Sequence, residues 1–339
     1  MSGREPPAGT SSSDGASSAA AFVPSARWGG AGHVVDLGGP VHWVDFGGPD
    51  QIDRPPVVLV HGLGGSHLNW VTVAPALARQ SRVFAIDLAG FGLTPTAGRS
   101  ASVQANTQLL DRFLRRVVAR PAVLVGNSMG GMISMLQTDA QPDTVAGLVL
   151  VDPSVPQTLR MLDRQVALGF AVMALPIVGA RLSRRIRNRT PARVAVQQVV
   201  NLCFADPGRM PPEVFEAGVA LAEYRARLPD EEAAFIVAAR SLLRVVQDRN
   251  GYEALMRRIT VPVLLVHGSH DRLVARAAAD AVAANNPHWS YTVFDGAGHT
   301  PQLEVPELFL AETLGWLDRS VLPVRPTDGD PTRTPDGRN

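Results

Sequence analysis

A glycine-rich turn between a predicted strand and a predicted helix carries a serine. The turn reads Gly126-Asn127-Ser128-Met129-Gly130-Gly131 and follows the apolar run Ala122–Val125. In a G-x-S-x-G pattern, a sharp turn lifts the serine hydroxyl above the end of a sheet, and the glycines leave room where strand and helix meet. The pattern alone is equally compatible with a tight turn that holds a passive serine. Its place between a strand and a helix makes Ser128 a candidate nucleophile.

An acid and a base each follow a later predicted strand. Asp271 comes after Val261–Val266, and His299 comes after Tyr291–Phe294. A serine hydroxyl is a weak nucleophile, so it needs a base to take its proton and a carboxylate to hold that base in the correct tautomer. The chain order Ser128, Asp271, His299 is one of the orders in which such triads occur. Together, these three residues predict nucleophilic catalysis by a serine.

Each of these residues also has a purely structural interpretation. Asp271 could cap a helix that begins near Ala275, and His299 could be an ordinary loop histidine. Asp152 follows the apolar run Leu148–Val151 and is an alternative position for the acid of the triad. Three suitable residues in the right order, each after a strand, favour the catalytic interpretation.

A second glycine-rich turn predicts the donors that a reacting carbonyl needs. His61-Gly62-Leu63-Gly64-Gly65 follows the apolar run Val57–Val60. Acyl transfer requires N–H groups aimed at the developing oxyanion, and the backbone N–H groups of Leu63 and Met129 are the natural pair. The turn could otherwise bind phosphate. However, no G-x-G-x-x-G opens a helix here and the sequence contains no lysine, which argues against nucleotide binding.

Short apolar runs alternate with helical patterns along the chain, which predicts an α/β fold with a mostly parallel sheet. Two runs around Leu37-Gly38-Gly39-Pro40 are typical of an antiparallel hairpin. The remaining predicted strands are continuous apolar runs, as expected where a strand is buried on both faces. The eight predicted strands are His33–Asp36, Val41–Phe46, Val57–Val60, Val83–Ile86, Ala122–Val125, Leu148–Val151, Val261–Val266 and Tyr291–Phe294.

The alternation stops after Asp152 and resumes near Ile259. The intervening residues show helical patterns only, which predicts a helical cap over the carboxyl ends of the strands. The predicted division is a disordered leader (1–27), a first core part (28–152), the cap (153–258), a second core part (259–322) and a disordered tail (323–339). The helices predicted in the cap are Asp163–Leu175, Pro191–Cys203, Pro212–Arg225, Glu231–Val246 and Tyr252–Arg258.

The composition excludes several classes of protein. Hydrophobic residues make up 45% of the 339 residues, which rules out a wholly disordered chain. The net charge of +1 argues against a nucleic-acid binder. The single cysteine, Cys203, excludes an internal disulfide and a thiolate metal cluster, and no metal site is predicted. The sequence shows no secretory signal and no transmembrane helix, so we expect a cytoplasmic protein.

Together, these motifs resemble the α/β-hydrolase superfamily, and in particular its capped serine esterases and lipases. The resemblance implies about eight strands, with the nucleophile after the fifth and a helical cap after the sixth. It also implies Ser128 as nucleophile, Asp271 as acid, His299 as base, Leu63 and Met129 as oxyanion donors, and no cofactor. It covers roughly residues 34–322 and rests on the motifs His61–Gly65, Asp87–Gly92, Gly126–Gly131, His267–Asp271 and Gly298-His299.

The family contains several chemistries, and some of them disagree with this sequence. Epoxide hydrolases and haloalkane dehalogenases have an aspartate where this chain has Ser128. Hydrolases of carbon–carbon bonds usually have a tryptophan after the catalytic histidine, where this chain has Thr300. The leading expectation is therefore hydrolysis of a carboxylic ester. Carbon–carbon bond cleavage, another acyl transfer on the same triad and a non-catalytic ligand-binding protein stay open as alternatives.

Apolar residues near the motifs predict an apolar acyl group. Met132 beside the serine turn, and Phe170 and Met173 in the cap, are the candidate pocket residues. Six arginines follow this cap segment, and they could face solvent, dock on an anionic membrane surface or recognise an acidic substrate group. The expected partner is a small-molecule ester. A solvated basic face is the favoured interpretation of the arginines, and contact of the cap with a membrane surface, which would make the protein membrane-peripheral, stays open as an alternative. The six arginines are Arg181, Arg184, Arg185, Arg187, Arg189 and Arg193.

Overall fold

The computed structural model describes residues 25–49, 54–157, 190–228 and 231–321 of the chain. Eight strands form one sheet with the order β1-β2-β4-β3-β5-β6-β7-β8. The first two strands form an antiparallel hairpin, β2 pairs antiparallel with β4, and all other pairs are parallel. This confirms the predicted fold class. The strands are β1 (Ala31–Asp36), β2 (Pro40–Asp45), β3 (Val57–Val60), β4 (Val83–Ile86), β5 (Ala122–Asn127), β6 (Val145–Val151), β7 (Val263–Gly268) and β8 (Ser290–Phe294).

Helices cover both faces of the sheet. Every residue of β3, β4, β5 and β7 is buried. Alternate residues of a strand serve opposite faces: Val58 packs into one hydrophobic cluster and Leu59 into the other. The α-helices are α1 (Ala74–Leu77), α2 (Val103–Phe113), α3 (Met129–Ala140), α4 (Ala192–Cys203), α5 (Pro212–Arg225), α6 (Glu231–Gln247), α7 (Arg249–Arg258), α8 (Arg276–Asn285), α9 (Pro301–Glu304) and α10 (Pro306–Ser320).

The predicted position of β7 is wrong by two residues. The strand begins at Val263 rather than Val261 and continues through His267 and Gly268. Pro262 has no N–H to give to the sheet, so it marks the residue before the strand. As a result, His267 lies inside the sheet, where its side chain is fully buried, and not in the following loop.

Four described helices, α4 to α7, lie between β6 and β7, as the predicted insertion after the sixth strand requires. They are tied to the core by buried side chains. Arg225 at the end of α5 donates to the carbonyls of Gly90 (2.5 Å) and Gly92 (2.9 Å). Ser241 of α6 accepts a hydrogen bond of 2.8 Å from the backbone N–H of Val103. These bonds fix the described part of the cap above the carboxyl ends of the strands.

Several sequence predictions fall outside the described ranges. They include the pocket residues Phe170 and Met173, five of the six clustered arginines, and the whole of the predicted tail. Within the predicted leader, residues 25–27 belong to a short 3-10 helix, Ser25–Trp28. Each helix of the described segments is too short or too polar to span a bilayer.

Candidate active site

Ser128 lies at the junction of β5 and α3 in a strained conformation. Its φ of 54° and ψ of −116° are unusual for a residue with a side chain. Its backbone is held by neighbours, since its N–H donates to Val151 O (3.0 Å) and its carbonyl accepts from Ser154 N (3.1 Å). The flanking glycines leave no space for side chains: a Cβ at Gly126 would lie 2.5 Å from Gly130 O. This is the sharp turn that the G-x-S-x-G pattern predicts.

Asp271 and His299 form a close pair at the same edge of the sheet. The distance from His299 Nδ1 to Asp271 Oδ2 is 2.7 Å, and both side chains are nearly or fully buried. The other oxygen of Asp271 accepts from the backbone N–H of Leu273 (2.7 Å) and Val274 (3.1 Å). Burial favours the neutral acid, but the facing imidazole of His299 outweighs it and holds the pKa of Asp271 below its usual value. Asp271 therefore fixes the imidazole with a proton on Nδ1 and a lone pair on Nε2.

The turn that carries Ser128 is joined directly to the loop that carries His299. The side-chain amide of Asn127 donates to His299 O (3.0 Å) and to Val151 O (3.1 Å). Asn127 is itself buried, so these bonds are shielded from water. They hold the nucleophile turn and the base loop together, although 172 residues separate their positions in the sequence.

The hydroxyl of Ser128 has one hydrogen-bond partner among the described residues, and that partner is the hydroxyl of Ser154 at 3.3 Å. The structure therefore brings Asp271 and His299 together, whereas Ser128 is turned toward Ser154 and makes no hydrogen bond to the imidazole. Catalytic hydrogen bonds are often long or unformed before substrate binds. Proton transfer requires the Ser128 hydroxyl to leave Ser154 and turn to Nε2 of His299.

Sequence reasoning missed Ser154. It lies just beyond β6, the strand beside β5, and its carbonyl accepts a hydrogen bond of 2.9 Å from the buried hydroxyl of Tyr252 in α7. Polar residues that follow neighbouring parallel strands meet at one edge of a sheet. This signal, which pointed to Asp152, also applied to Ser154 two residues later.

We expect Ser154→Ala to raise the rate at which Ser128 reacts, by about 2- to 5-fold. The substitution removes a neutral hydrogen bond that must break before attack, and such bonds contribute about 1 kcal/mol. The measurement is the second-order rate constant for labelling by a fluorophosphonate. Ser134→Ala, in the helix behind the turn, is the control for loss of a buried serine hydroxyl. A lower rate specific to Ser154→Ala would contradict this prediction and show that Ser154 assists the attack.

The loop of residues 61–65 lies against the nucleophile. A Cβ at Gly62 would be only 3.1 Å from the Cβ of Ser128. His61 organises this loop, because its Nδ1 donates to Gly62 O (2.7 Å) and its Nε2 accepts from the N–H of Leu88 (3.0 Å). Burial lowers the pKa of His61 to about 4, so the ring is neutral at physiological pH. The loop that contains Leu63, a predicted oxyanion donor, is thus held against the turn of Ser128 at Gly62.

Met129 is the first residue of α3, and its N–H is one of the four that have no acceptor within a helix. The positive end of the helix dipole lies at the same place. The oxyanion donors predicted from the sequence, Leu63 and Met129, thus lie in the 61–65 loop and at the start of α3.

Asp87 fixes the neighbouring loop through buried hydrogen bonds. Its carboxylate accepts from the rings of His42 (2.8 Å) and His67 (3.0 Å), and from the backbone N–H groups of His67 (2.7 Å) and Leu93 (2.8 Å). Burial would raise the pKa of Asp87, but the two histidines overcome this and hold it well below its usual value. The three side chains are close enough to bind a metal ion. In the structure, these hydrogen bonds already engage both carboxylate oxygens.

Of the predicted pocket residues, the structure describes only Met132. Its side chain is fully buried in the core behind the serine turn and offers no accessible surface to a substrate. Phe235 of α6 is better placed than Met132 to contact a substrate, because its ring packs against the 61–65 loop, 3.2 Å from where a Cβ of Gly64 would be. Leu63 and Phe235 are both partly exposed. They form an apolar surface beside the oxyanion loop.

Glu304 joins the base loop to the cap, and sequence reasoning did not identify it. Its buried carboxylate accepts from the backbone N–H groups of Gly298 (2.7 Å), Ala205 (3.1 Å) and Asp206 (2.8 Å). The adjacent N–H of His299 donates to Cys203 O at 2.6 Å. The end of α4 is therefore docked on the residues that position His299, the candidate base.

We expect Glu304→Gln to destabilise the fold by about 2 kcal/mol and to lower kcat/KM by about 10-fold or more. One side of a carboxamide is an NH₂ group, which would face N–H donors and leave at least one of them unsatisfied. Thermal unfolding and ester hydrolysis would measure the two effects. The matched control is Glu307→Gln on the exposed side of α10, which should change neither quantity. Equal behaviour of the two variants would contradict the prediction.

Comparisons with known proteins relate the chain to a family of hydrolases. The sequence profile described as the alpha/beta hydrolase family matches residues 57–312. The chain is 26% identical to a pimeloyl-(acyl-carrier protein) methyl ester esterase of Aeromonas hydrophila over 76% of this chain and 92% of that protein. It is 27% identical to 2-hydroxy-6-oxo-6-(2'-aminophenyl)hexa-2,4-dienoic acid hydrolase of Metapseudomonas resinovorans over 78% of this chain and 84% of that protein.

Among solved structures, the haloalkane dehalogenase DbeA of Bradyrhizobium elkani superposes with a TM-score of 0.72. The two chains are 21% identical, and the match covers 85% of this chain and 98% of the dehalogenase. This likeness shows a shared fold and does not extend to the reaction. The profile match spans well over half of the residues, and the chain therefore belongs to the alpha/beta hydrolase family.

Proposed function

We propose that the protein is a serine hydrolase that cleaves carboxylic esters with an apolar acyl group through an acyl-enzyme. The observation that carries this proposal is the buried 2.7 Å contact between Asp271 and His299, which lies beside a strained serine at the start of a helix. A serine with a neutral base and a fixed tautomer is the arrangement that acyl transfer requires.

In the first half-reaction, His299 Nε2 takes the proton of Ser128 as Oγ bonds to the ester carbonyl carbon. The negative carbonyl oxygen accepts hydrogen bonds from the N–H groups of Leu63 and Met129. The imidazolium then gives its proton to the leaving alcohol oxygen as the carbon–oxygen bond breaks. In the second half-reaction, water loses a proton to His299 and attacks the acyl carbon. The acid leaves as Ser128 regains its proton.

The surface beside the site supports an apolar acyl group. Leu63 lies in the 61–65 loop, Phe235 packs next to that loop at Gly64, and neither side chain carries a charge. Apolar walls with a few polar groups at the reacting centre are typical of small-molecule sites. The relative from Aeromonas hydrophila is named as an esterase, which supports ester hydrolysis as the reaction.

The test is a chain-length series of chromogenic carboxylic esters, assayed with the wild-type protein and with Ser128→Ala. We expect hydrolysis by the wild type that increases with acyl length, and a loss of about 10³-fold or more in the variant, since the nucleophile is gone. Equal rates for the two proteins would refute the proposal. A fluorophosphonate that fails to label Ser128 in the folded protein would favour a non-catalytic binding protein.

Carbon–carbon bond hydrolysis is the second candidate, because a relative with 27% identity is named as a dienoic acid hydrolase. The same base could then serve a substrate with a dienol-ketone group. Turnover of such a substrate much faster than any simple ester would favour this alternative. If the acyl group passed to an added alcohol in preference to water, the protein would be an acyltransferase.

A further inference from the structure

A second carboxyl group is buried behind the triad acid. Asp152 follows β6 directly, has a φ of 45° and is fully buried. Its Oδ1 accepts a hydrogen bond of 2.8 Å from the N–H of Gly268. Its Oδ2 has no hydrogen-bond partner among the described residues. A buried oxygen without a partner costs free energy unless a proton on that oxygen can be donated to a neighbour.

The side chains beside Asp152 present acceptor atoms to it. The Nε2–H of His267 donates to Val274 O at 3.0 Å, so a neutral ring has its lone pair on Nδ1, 3.3 Å from Asp152 Oδ1. Burial lowers the pKa of His267, which keeps that ring neutral. Oxygens of Asp152 and Asp271 and a ring nitrogen of His267 all lie within 4.8 Å of one another. An ionised Asp152 would thus face a lone pair and a second carboxylate.

Within the described ranges, three further titratable groups interact electrostatically with Asp152, and none of the three carries a positive charge. They come from separate elements: Glu304 from α9, Cys203 from α4 and Tyr291 from β8. The imidazole of His299 is engaged by Asp271 Oδ2 at 2.7 Å. A proton on Asp152 would turn the unpartnered oxygen into a donor.

We infer that Asp152 is a protonated carboxylic acid that donates its O–H to Asp271 and thereby acts as a positioning residue for the triad acid. This inference rests on the proposed function of Ser128, Asp271 and His299. Burial, followed by the negative charge of Asp271, raises the pKa of Asp152 well above its usual value. Two adjacent carboxyl groups in a buried site commonly share one proton in this way.

The donated hydrogen bond has a consequence for the base. It draws negative charge away from Asp271, so the carboxylate stabilises the imidazolium of His299 less than a free carboxylate would. Without the donor, His299 would hold its proton to higher pH. The reaction would then begin at higher pH, because the base must be neutral to act.

The first experiment compares the pH dependence of fluorophosphonate labelling in the wild type, Asp152→Asn and Asp152→Ala. The carboxamide of asparagine can accept from Gly268 N and donate to Asp271. The labelling rate of Asp152→Asn should therefore rise from its low-pH value at the same pH as in the wild type. In Asp152→Ala, this rise in labelling rate should occur at a pH higher by about half a unit or more. A downward shift in Asp152→Asn would show that a negative charge had been removed, which would overturn the inference. Equal upward shifts in both variants would also overturn it.

The second experiment needs no activity and no alanine variant. Above the unfolded pKa of aspartate, near 4, the folded protein holds a proton on Asp152 that the unfolded chain has lost. Unfolding therefore releases that proton, and the contribution of Asp152 to the free energy of unfolding falls as the pH rises. At pH values between the unfolded and the folded pKa of Asp152, the unfolding constant of the wild type should rise more steeply with pH than that of Asp152→Asn, by up to about tenfold per pH unit. Equal slopes would overturn the inference. Absent labelling with unequal slopes would refute the proposed function alone.

Discussion

Asp271→Asn should reduce kcat/KM for a chromogenic ester by about 10³- to 10⁴-fold without unfolding the protein. The present carboxylate can only accept, so it keeps the proton of His299 on Nδ1 and the lone pair on Nε2. A carboxamide can offer its NH₂ to Nδ1, which stabilises the tautomer that has no lone pair for Ser128. It also removes the charge that stabilises the imidazolium. Steady-state kinetics over a range of pH would measure the loss.

The control for this substitution is Asp139→Asn. Asp139 is also a carboxylate in a short hydrogen-bonded pair, with Arg258 at 2.7 Å, but this pair lies on the exposed surface. Its loss should leave kcat/KM unchanged within about 2-fold, because exposed ion pairs contribute little. Thermal unfolding of both variants separates catalysis from folding. Retention of more than a tenth of the activity in Asp271→Asn would show that another residue orients the base.

Gly130→Ala should destroy the nucleophile turn. A Cβ at this position would overlap the carbonyl oxygen of Val60 and lie 2.6 Å from that of His61, and both are backbone atoms. Relief of this overlap requires α3 to move away from β3 and from the loop that carries Leu63. We expect a loss of stability of about 3 kcal/mol or more and a loss of activity of about 100-fold or more in the folded fraction. Denaturant unfolding and active-site titration would measure both.

Gly218→Ala is the matched control for this substitution. Gly218 lies inside α5, where a Cβ would be 3.6 Å from Val196 Cγ1, an ordinary contact distance. Alanine favours a helix interior over glycine by about 1 kcal/mol, so this variant should be as stable as the wild type or more stable. If Gly130→Ala unfolds like Gly218→Ala and keeps full activity, then the close packing at the serine turn is not required.

The fold could be predicted from the sequence to a large extent because its central strands are buried on both faces. Such strands appear as continuous apolar runs, and each predicted run overlaps an observed strand. The helix of residues 212–225 was predicted with its exact bounds, since Pro211-Pro212 marks its start. The error at β7 came from treating Pro262 as an ordinary strand residue.

The candidate site was predictable where a residue type and its local turn carry the signal, as at Ser128, Asp271 and His299. Ser154 and Glu304 were missed, and Asp152 was recognised only as an alternative acid, because their partners are distant in the sequence. The bond from Asp206 N to Glu304 spans 98 residues, and that from Gly268 N to Asp152 spans 116. No local pattern specifies which backbone N–H will meet a given carboxylate. That information is present only once the sheet has assembled.

The docking of α4 on the base loop limits how a substrate can enter. The carboxylate of Glu304 accepts a hydrogen bond from the N–H of Gly298, and Cys203 O accepts one from the next N–H, that of His299. Lifting the end of α4 would break the hydrogen bonds that position the imidazole of His299. Under the proposed function, we therefore expect substrate to enter by a movement elsewhere in the molecule, with the end of α4 held in place.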